Sequence, residues 1–127
     1  MTTITNLTLA SVKRAAKAAM KNGRLGIQSP RKGDRTWTYS SNGKGFVDPV
    51  GAALSKGELK MLKAKRSNMD YFSDLVRDGI LKAKAADVKK IENILFWYDQ
   101  TILLAHAKRP NRAKARRSLQ SFIRAIH

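Results

Sequence analysis

A dense group of cations lies near the C-terminal end of the sequence. Six basic residues fall within positions 108–117, namely Lys108, Arg109, Arg112, Lys114, Arg116 and Arg117. Ammonium and guanidinium groups bind phosphate oxygens, and the counterions that these contacts release drive association with nucleic acids. In the first turns of a helix, cations also oppose the helix dipole, a repulsion that a bound anion relieves. The cluster therefore predicts an anion-binding surface, with a solvated surface helix as the plainer alternative.

A second group of cations occupies the N-terminal third of the chain. Its members are Lys13, Arg14, Lys17, Lys21, Arg24, Arg31, Lys32, Arg35 and Lys44. Trp37 and Tyr39 lie among them. Cations that neutralise phosphates, combined with aromatic rings that stack on unpaired bases, suit a nucleic-acid-binding surface. The alternative role of the two rings is to hold a hairpin against neighbouring helices.

Three carboxylates suggest a different chemistry. Asp70, Asp74 and Asp78 are spaced four residues apart and line one face of a predicted helix. Mg²⁺ prefers oxygen ligands, and metal-dependent nucleases hold it with clustered carboxylates. Helix capping by Asp70 and ion pairing of the other two with a neighbour such as Arg77 explain these residues more simply. We therefore predict no catalytic residue and no metal site, with a Mg²⁺-dependent nuclease as the alternative.

Other catalytic patterns are weak or absent from the sequence. The chain has no cysteine, which excludes a disulfide scaffold, a thiolate zinc site and a cysteine nucleophile. Asp99 and His106 share a similar helix face, but the sequence positions no Ser or Thr to complete a triad with them. The segment Gly43-Lys44-Gly45 lacks the spacing of a phosphate-binding loop. No cofactor is predicted.

A helix is predicted to carry the first basic group. Residues Leu9–Lys21 place apolar and basic side chains on separate faces, and Asn6 or Thr8 can cap this helix. The pair Asn22-Gly23 is typical of a helix end, because glycine adopts the left-handed conformation found there.

The Gly-rich segment 24–51 has a different pattern. Thr36–Ser40 alternates β-forming residues, Asn42-Gly43 is a hairpin signal, and Gly45–Val47 can return as the second strand. A further strand at Leu25–Gln28 is an additional candidate. We expect a small β-hairpin or short antiparallel sheet inserted after the first helix.

The longest predicted helix begins near Ala86 or Asp87 and runs to about Lys108. Apolar residues, Trp97 among them, occupy nearly every face of it. A helix of this kind is buried by several neighbours, so we expect it to be the central element of the core.

Shorter helices are predicted on both sides of this one. Asp48-Pro49 and Ser55–Glu58 match helix-start signals. Residues 108–127 form a basic amphipathic C-terminal helix that Asn111 can cap. We therefore predict one basic, mainly α domain over residues 1–127, a compact helical domain of about four or five helices with the inserted hairpin.

The charge balance indicates the class of partner. The chain has 127 residues, with 26 Lys and Arg against 9 Asp and Glu, a net charge of +17. Net charges of +7, +3 and +7 belong to residues 1–48, 49–107 and 108–127, so two basic ends flank a nearly balanced middle. With 43% hydrophobic residues, the chain can build a core. A folded protein of this charge favours an anionic partner.

We predict a non-catalytic protein that binds the phosphate backbone of DNA or RNA, single- or double-stranded, through its two basic surfaces. The alternative is a small phage-type inhibitor or accessory interaction protein that docks a basic surface on an acidic protein or nucleoprotein complex. No apolar run approaches the roughly 20 residues that span a bilayer, so no membrane partner is expected. A cytoplasmic or nucleoid-associated protein, monomeric or homodimeric, fits this composition.

Overall fold

Helix-forming sequence dominates the described part of the chain. The computed structural model describes residues 6–25, 27, 47–55, 57–60, 72–106 and 112–127. In chain order, the elements are β1 (Asn6–Leu7), α1 (Leu9–Lys21), α2 (Pro49–Ala52), α3 (57–60), α4 (Phe72–Arg77), β2 (Lys82–Ala83), α5 (Ala85–His106) and α6 (Arg112–Ile126). The predicted class, mainly α with a small amount of sheet, is confirmed. Most of the predicted hairpin, residues 36–46, lies outside the described residues.

Local capping signals set the bounds of α1. The Thr8 hydroxyl accepts a hydrogen bond from the Ser11 N–H, and the Ser11 hydroxyl accepts one from the Thr8 N–H, both at 3.0 Å. This reciprocal capping satisfies donors that the first helical turn leaves without intrahelical partners. Past the helix end, Gly23 has a φ of +68°, in the left-handed region that glycine adopts without strain. The predicted bounds, Leu9 to Lys21, are confirmed.

Two further predicted helix starts are also confirmed. Asp48 caps α2, because its carboxylate accepts hydrogen bonds from the Gly51 N–H at 2.8 Å and the Val50 N–H at 3.4 Å. Before α3, the Ser55 hydroxyl accepts from the Glu58 N–H at 3.1 Å, and the Glu58 carboxylate accepts from the Ser55 N–H at 2.9 Å. Both helices therefore begin at the capping residues that the sequence predicts.

The core lies where α5, α6 and α1 meet. α6 packs along α5, and α1 contacts both helices. Tyr98 of α5 and Phe122 of α6 are fully buried, and their rings meet edge to face with centroids 5.7 Å apart. Val12 and Ala16 of α1 belong to the same buried cluster. Since α5 also contacts α2 and α4, it is the central element of the described fold, as predicted.

The described sheet is parallel, whereas the sequence patterns favour an antiparallel one. β1 and β2 pair in parallel, with Asn6 opposite Lys82, and neither strand belongs to the predicted hairpin. Leu25 and Val47, both in candidate strands, form an isolated parallel bridge. Strands of two residues carry no alternation that a sequence pattern can reveal.

One face of α5 is exposed, contrary to the prediction that neighbours bury it on nearly all sides. Phe96 and Leu103 are each 50% exposed, and Trp97 is only partly buried. At 100° per residue, Phe96 lies roughly 160° around the helix from the fully buried Tyr98. A small chain buries a smaller fraction of its surface than a large one, so its longest helix keeps an open face.

Candidate nucleic-acid interface

The basic residues of α1 form an exposed stripe. Arg14, Lys17 and Lys21 are exposed, and Lys13 is half-buried at the edge of the stripe. Within the described part of the chain, none of these four side chains forms an ion pair. α1 contains no acidic residue, so its positive charge is not balanced within the helix. Arg24, just past the helix end, is exposed as well.

α6 presents the second predicted group. Its exposed cations are Arg112, Lys114, Arg116, Arg117 and Arg124, of which Arg124 is not among the predicted contact residues. The helix contains no acidic residue. Within the described residues, Arg112, Arg116 and Arg117 form no ion pair.

The net positive charge is concentrated on α1 and α6, whereas α5 carries a small net negative charge. α1 holds four basic residues and α6 holds five, in both cases without an acidic residue. α5 holds two basic and three acidic residues, a net charge of −1. α1 and α6 therefore carry the net positive charge, and α5 forms the centre of the core that they also contribute to.

The remaining predicted contact residues lie outside the described residues. They are Arg31, Lys32, Arg35, Trp37, Tyr39, Lys44, Lys108 and Arg109. Asp70, the first of the three candidate Mg²⁺ ligands, also lies there. Their roles stay predictions.

Lys13 lies beside two lysines that the sequence patterns do not single out. A shallow pocket of about 300 Å³ is lined by Leu9, Lys13, Lys89, Lys90, Asn93 and Ala125. We call it the lysine pocket. None of its described lining residues is acidic, so the pocket brings the like charges of Lys13, Lys89 and Lys90 close together. In the sequence, nothing links the adjacent pair Lys89-Lys90 to Lys13, and only the tertiary fold brings the three together.

The parallel sheet explains how the lysine pocket forms. β1 leads into α1 and β2 leads into α5, so their parallel pairing sets the starts of both helices side by side. The Asp87 carboxylate accepts a hydrogen bond from the Leu9 N–H at 3.2 Å. Because Asp87 is also in the first turn of α5, one carboxylate serves the positive ends of two helices. Lys13 and Lys89 therefore come from neighbouring helix starts.

A second pocket combines cations with an aromatic ring. It lies between α5 and α6, measures about 350 Å³, and is lined by Trp97, Gln100, Leu104, Lys114, Arg117, Ser118 and Ser121. We call it the Trp97 pocket. Lys114 and Arg117 belong to the predicted contact residues, whereas Trp97 is expected in the core. The structure thus places two predicted cations beside a ring that is not among the predicted stacking residues.

Two of the candidate metal ligands are engaged by an arginine. Arg77 pairs with Asp74 at 3.2 Å and with Asp78 at 3.5 Å, and all three side chains are largely or partly exposed. Among the residues that the structure describes, no group of three His, Asp or Glu side chains is placed to hold a metal ion. Asp74 and Asp78 therefore form the ion pairs with Arg77 that the sequence suggests.

These features define a mainly helical protein whose surface helices carry unbalanced positive charge. No helix in the described ranges combines the length and the apolar character needed to cross a membrane. Comparison with known proteins finds no family model, no curated protein and no solved structure that matches the chain. The chain's own residues are thus the basis for a proposed function.

Proposed function

We propose that this protein binds nucleic acid, without catalysing a reaction, by holding the phosphate backbone with the cations of α1 and α6. One observation supports this most directly: exposed cations on both helices have no acidic partner among the described residues. Those that belong to the predicted contact residues are Arg14, Lys17, Lys21, Arg112, Arg116 and Arg117, called here the unpaired cations. An unpaired cation can bind a phosphate without first giving up an ion pair.

The spacing of the cations on α1 suits a phosphate backbone. At 1.5 Å per residue, Arg14 and Lys21 are about 10 Å apart along the helix axis, which equals the axial length of about three nucleotides of one duplex strand. Backbone contacts of this kind fix position and carry no direct sequence information. The protein is therefore proposed to bind with little sequence preference, in the cytoplasm or on a nucleoid.

Backbone binding makes a quantitative prediction about salt. Each neutralised phosphate releases condensed counterions, so log K falls with log salt at a slope of about −0.9 per duplex contact. If all six unpaired cations engage a duplex, the slope is about −5. Anisotropy titrations of a labelled random duplex, a single strand and an RNA hairpin over a range of salt concentrations measure it. The protein is first treated with nuclease to remove bound nucleic acid.

A charge-neutralised variant tests whether α6 makes these contacts. In R112Q/R116Q/R117Q, three phosphate contacts are lost, and the duplex slope is expected to become shallower by about 2.7. The exposed side chains make no described ion pair, so the variant should keep the helical circular dichroism of the parent.

A matched control separates local contacts from the overall charge. K60Q/R77Q/K82Q also removes three exposed cations, all from outside α1 and α6. It should leave the salt slope unchanged. Equal slopes for both triple variants would contradict a specific role for α6. Absence of binding to all three ligands near physiological salt would contradict the proposed function and favour an acidic protein partner, which a nuclease-resistant pull-down would then reveal.

A further inference from the structure

The Trp97 pocket contains more than phosphate binding requires. Cations and N–H or O–H donors suffice for a phosphate. This pocket adds the indole of Trp97, an aromatic ring that a phosphate does not use, beside Gln100, Ser118 and Ser121. The pocket is shallow and open to solvent, with a volume of about 350 Å³.

The indole ring is held in place but not enclosed. Trp97 packs against the hydrophobic core on one side and is only partly buried. The ring of Phe96 meets it edge to face, with centroids 5.0 Å apart and an interplanar angle of 74°. A ring that is fixed before binding loses little conformational entropy when a ligand stacks on it.

The charge of the pocket selects among flat ligands. Lys114 and Arg117 line it, and none of its described lining residues is acidic. Arg117 forms no ion pair among the described residues, so an uncharged apolar group would leave it without a counter-charge, whereas a nucleotide brings a flat base together with phosphate. The Gln100 amide can both donate and accept a hydrogen bond at the edge of a base.

We infer that the Trp97 pocket receives one unpaired base of a single-stranded nucleic acid. The base stacks on the indole of Trp97, and the neighbouring phosphates bind Lys114 and Arg117. This inference rests on the proposed function and adds a preference for single strands. In a duplex the bases stack on one another, so only an unpaired base offers its face to an aromatic side chain.

The test compares a single strand with a duplex of the same length and sequence, by anisotropy at fixed salt. W97A should weaken single-strand binding by about 5- to 150-fold, the range for loss of one base–aromatic stack. Duplex binding should stay unchanged, since it uses the cations only. W97F keeps an aromatic face and should restore most of the single-strand affinity.

Leu103 offers a matched control on the same helix. It is 50% exposed, and it is not among the described lining residues of the Trp97 pocket. L103A removes exposed apolar surface from α5 without touching the proposed stack. It should leave both affinities unchanged.

Tryptophan fluorescence gives a second readout that needs no change at Trp97. The chain has two tryptophans, so W37F leaves Trp97 as the sole indole fluorophore, while phenylalanine keeps an aromatic ring at position 37 for its predicted stacking role. A single strand should quench its emission by stacking a base on the ring, and a duplex, whose bases stack on one another, should not. This measurement decides the question even where W97A fails to fold.

The results distinguish a failure of base stacking on Trp97 from a failure of phosphate-backbone binding. If both ligands bind with a steep salt slope but W97A affects them equally or not at all, the pocket inference is overturned and backbone binding stands. Unchanged Trp97 emission in a saturated single-strand complex overturns it as well. If neither ligand binds, both the inference and the proposed function fail.

Discussion

The carboxylate of Asp87 accepts a hydrogen bond from the backbone N–H of Leu9 at 3.2 Å, across 78 residues of chain. Leu9 is the first residue of α1, and Asp87 stands in the first turn of α5. The bond therefore ties together the starts of two helices that sequence separates widely. It also satisfies one of the amide donors that a helix N-terminus leaves without an intrahelical partner.

Replacing Asp87 should destabilise the fold. D87A removes an acceptor for the Leu9 N–H and a negative charge at two helix starts, at an expected cost of about 1–2 kcal/mol in the free energy of unfolding. D87N keeps a hydrogen-bond acceptor and should cost less. Urea unfolding followed by circular dichroism measures both values.

Glu92 provides the control for the Asp87 variants. It is a half-buried acidic residue of the same helix whose side chain forms no hydrogen bond or ion pair among the described residues. E92Q should change the free energy of unfolding by less than about 0.5 kcal/mol. Comparable losses in D87A and E92Q would show that overall charge, and not the bond to Leu9, sets the stability.

Local signals in the sequence predict helix ends well. Thr8 caps α1, Asp48 caps α2, and Ser55 pairs with Glu58 before α3, all as the sequence indicates. Each of these contacts joins residues two or three positions apart in the chain. Their geometry is set by the helix itself, so the residue types suffice to predict them.

Contacts between distant segments could not be predicted in this way. The pairing of β1 with β2 and the lysine pocket both depend on how α1 and α5 meet. Lys89 and Lys90 look like ordinary solvated cations until that packing places them beside Lys13. The sequence thus indicates which helices carry charge, and the tertiary fold decides which cations converge.

Phe122 and Phe96 should differ in their contribution to stability. Phe122 is fully buried against Tyr98, and Phe96 is 50% exposed. F122A should cost about 3–5 kcal/mol, because it removes a core ring and leaves a cavity. F96A should cost far less, since its ring is half in water already. Thermal and urea unfolding of both variants measure the contrast. Equal losses in the free energy of unfolding would show that Phe96 is buried in solution, in contradiction to its exposed position.

The exposed face of α5 also shows where periodicity misleads. Apolar residues on nearly every side predict a helix buried all round, yet Phe96 and Leu103 are half exposed. An apolar side chain can lie either in the core or at the surface. Whether it is buried depends on how many neighbouring elements pack against that face of the helix. Trp97 lies between the buried and the exposed face of α5. It therefore packs partly against the core and also lines the Trp97 pocket, whereas the sequence predicts a core residue.

Gly79 and Gly57 make a matched pair for backbone effects. Gly79 has a φ of +74°, and a Cβ there would meet no atom within 4 Å. G79A should therefore destabilise by about 1–2 kcal/mol through backbone strain alone. Gly57 has no positive φ and lies in a helical segment, so G57A should be neutral or slightly stabilising. Equal effects of the two variants in urea unfolding would contradict strain at Gly79.

The lysine pocket should make stability depend on salt. Lys13, Lys89 and Lys90 share one pocket without a described acidic lining residue, so their repulsion is present whenever the pocket is empty. Neutralising Lys89 in K89Q should raise the free energy of unfolding by about 0.2–0.5 kcal/mol at low salt. At about 1 M salt the screening length falls to about 3 Å, and the difference should disappear. Thermal unfolding at both salt concentrations measures it.

The same lysines should also respond to an anion. Inorganic pyrophosphate bound in the pocket should raise the melting temperature of the parent protein, because a ligand that binds the folded state stabilises it. K13Q and K89Q should show a smaller rise, and K60Q, which neutralises an exposed lysine outside the pocket, should match the parent. For the salt prediction, a K89Q protein less stable than the parent at low salt would show that the aliphatic part of Lys89 packs favourably and that charge repulsion is minor. An equal response of all four proteins to pyrophosphate would place the anion elsewhere on the basic surface.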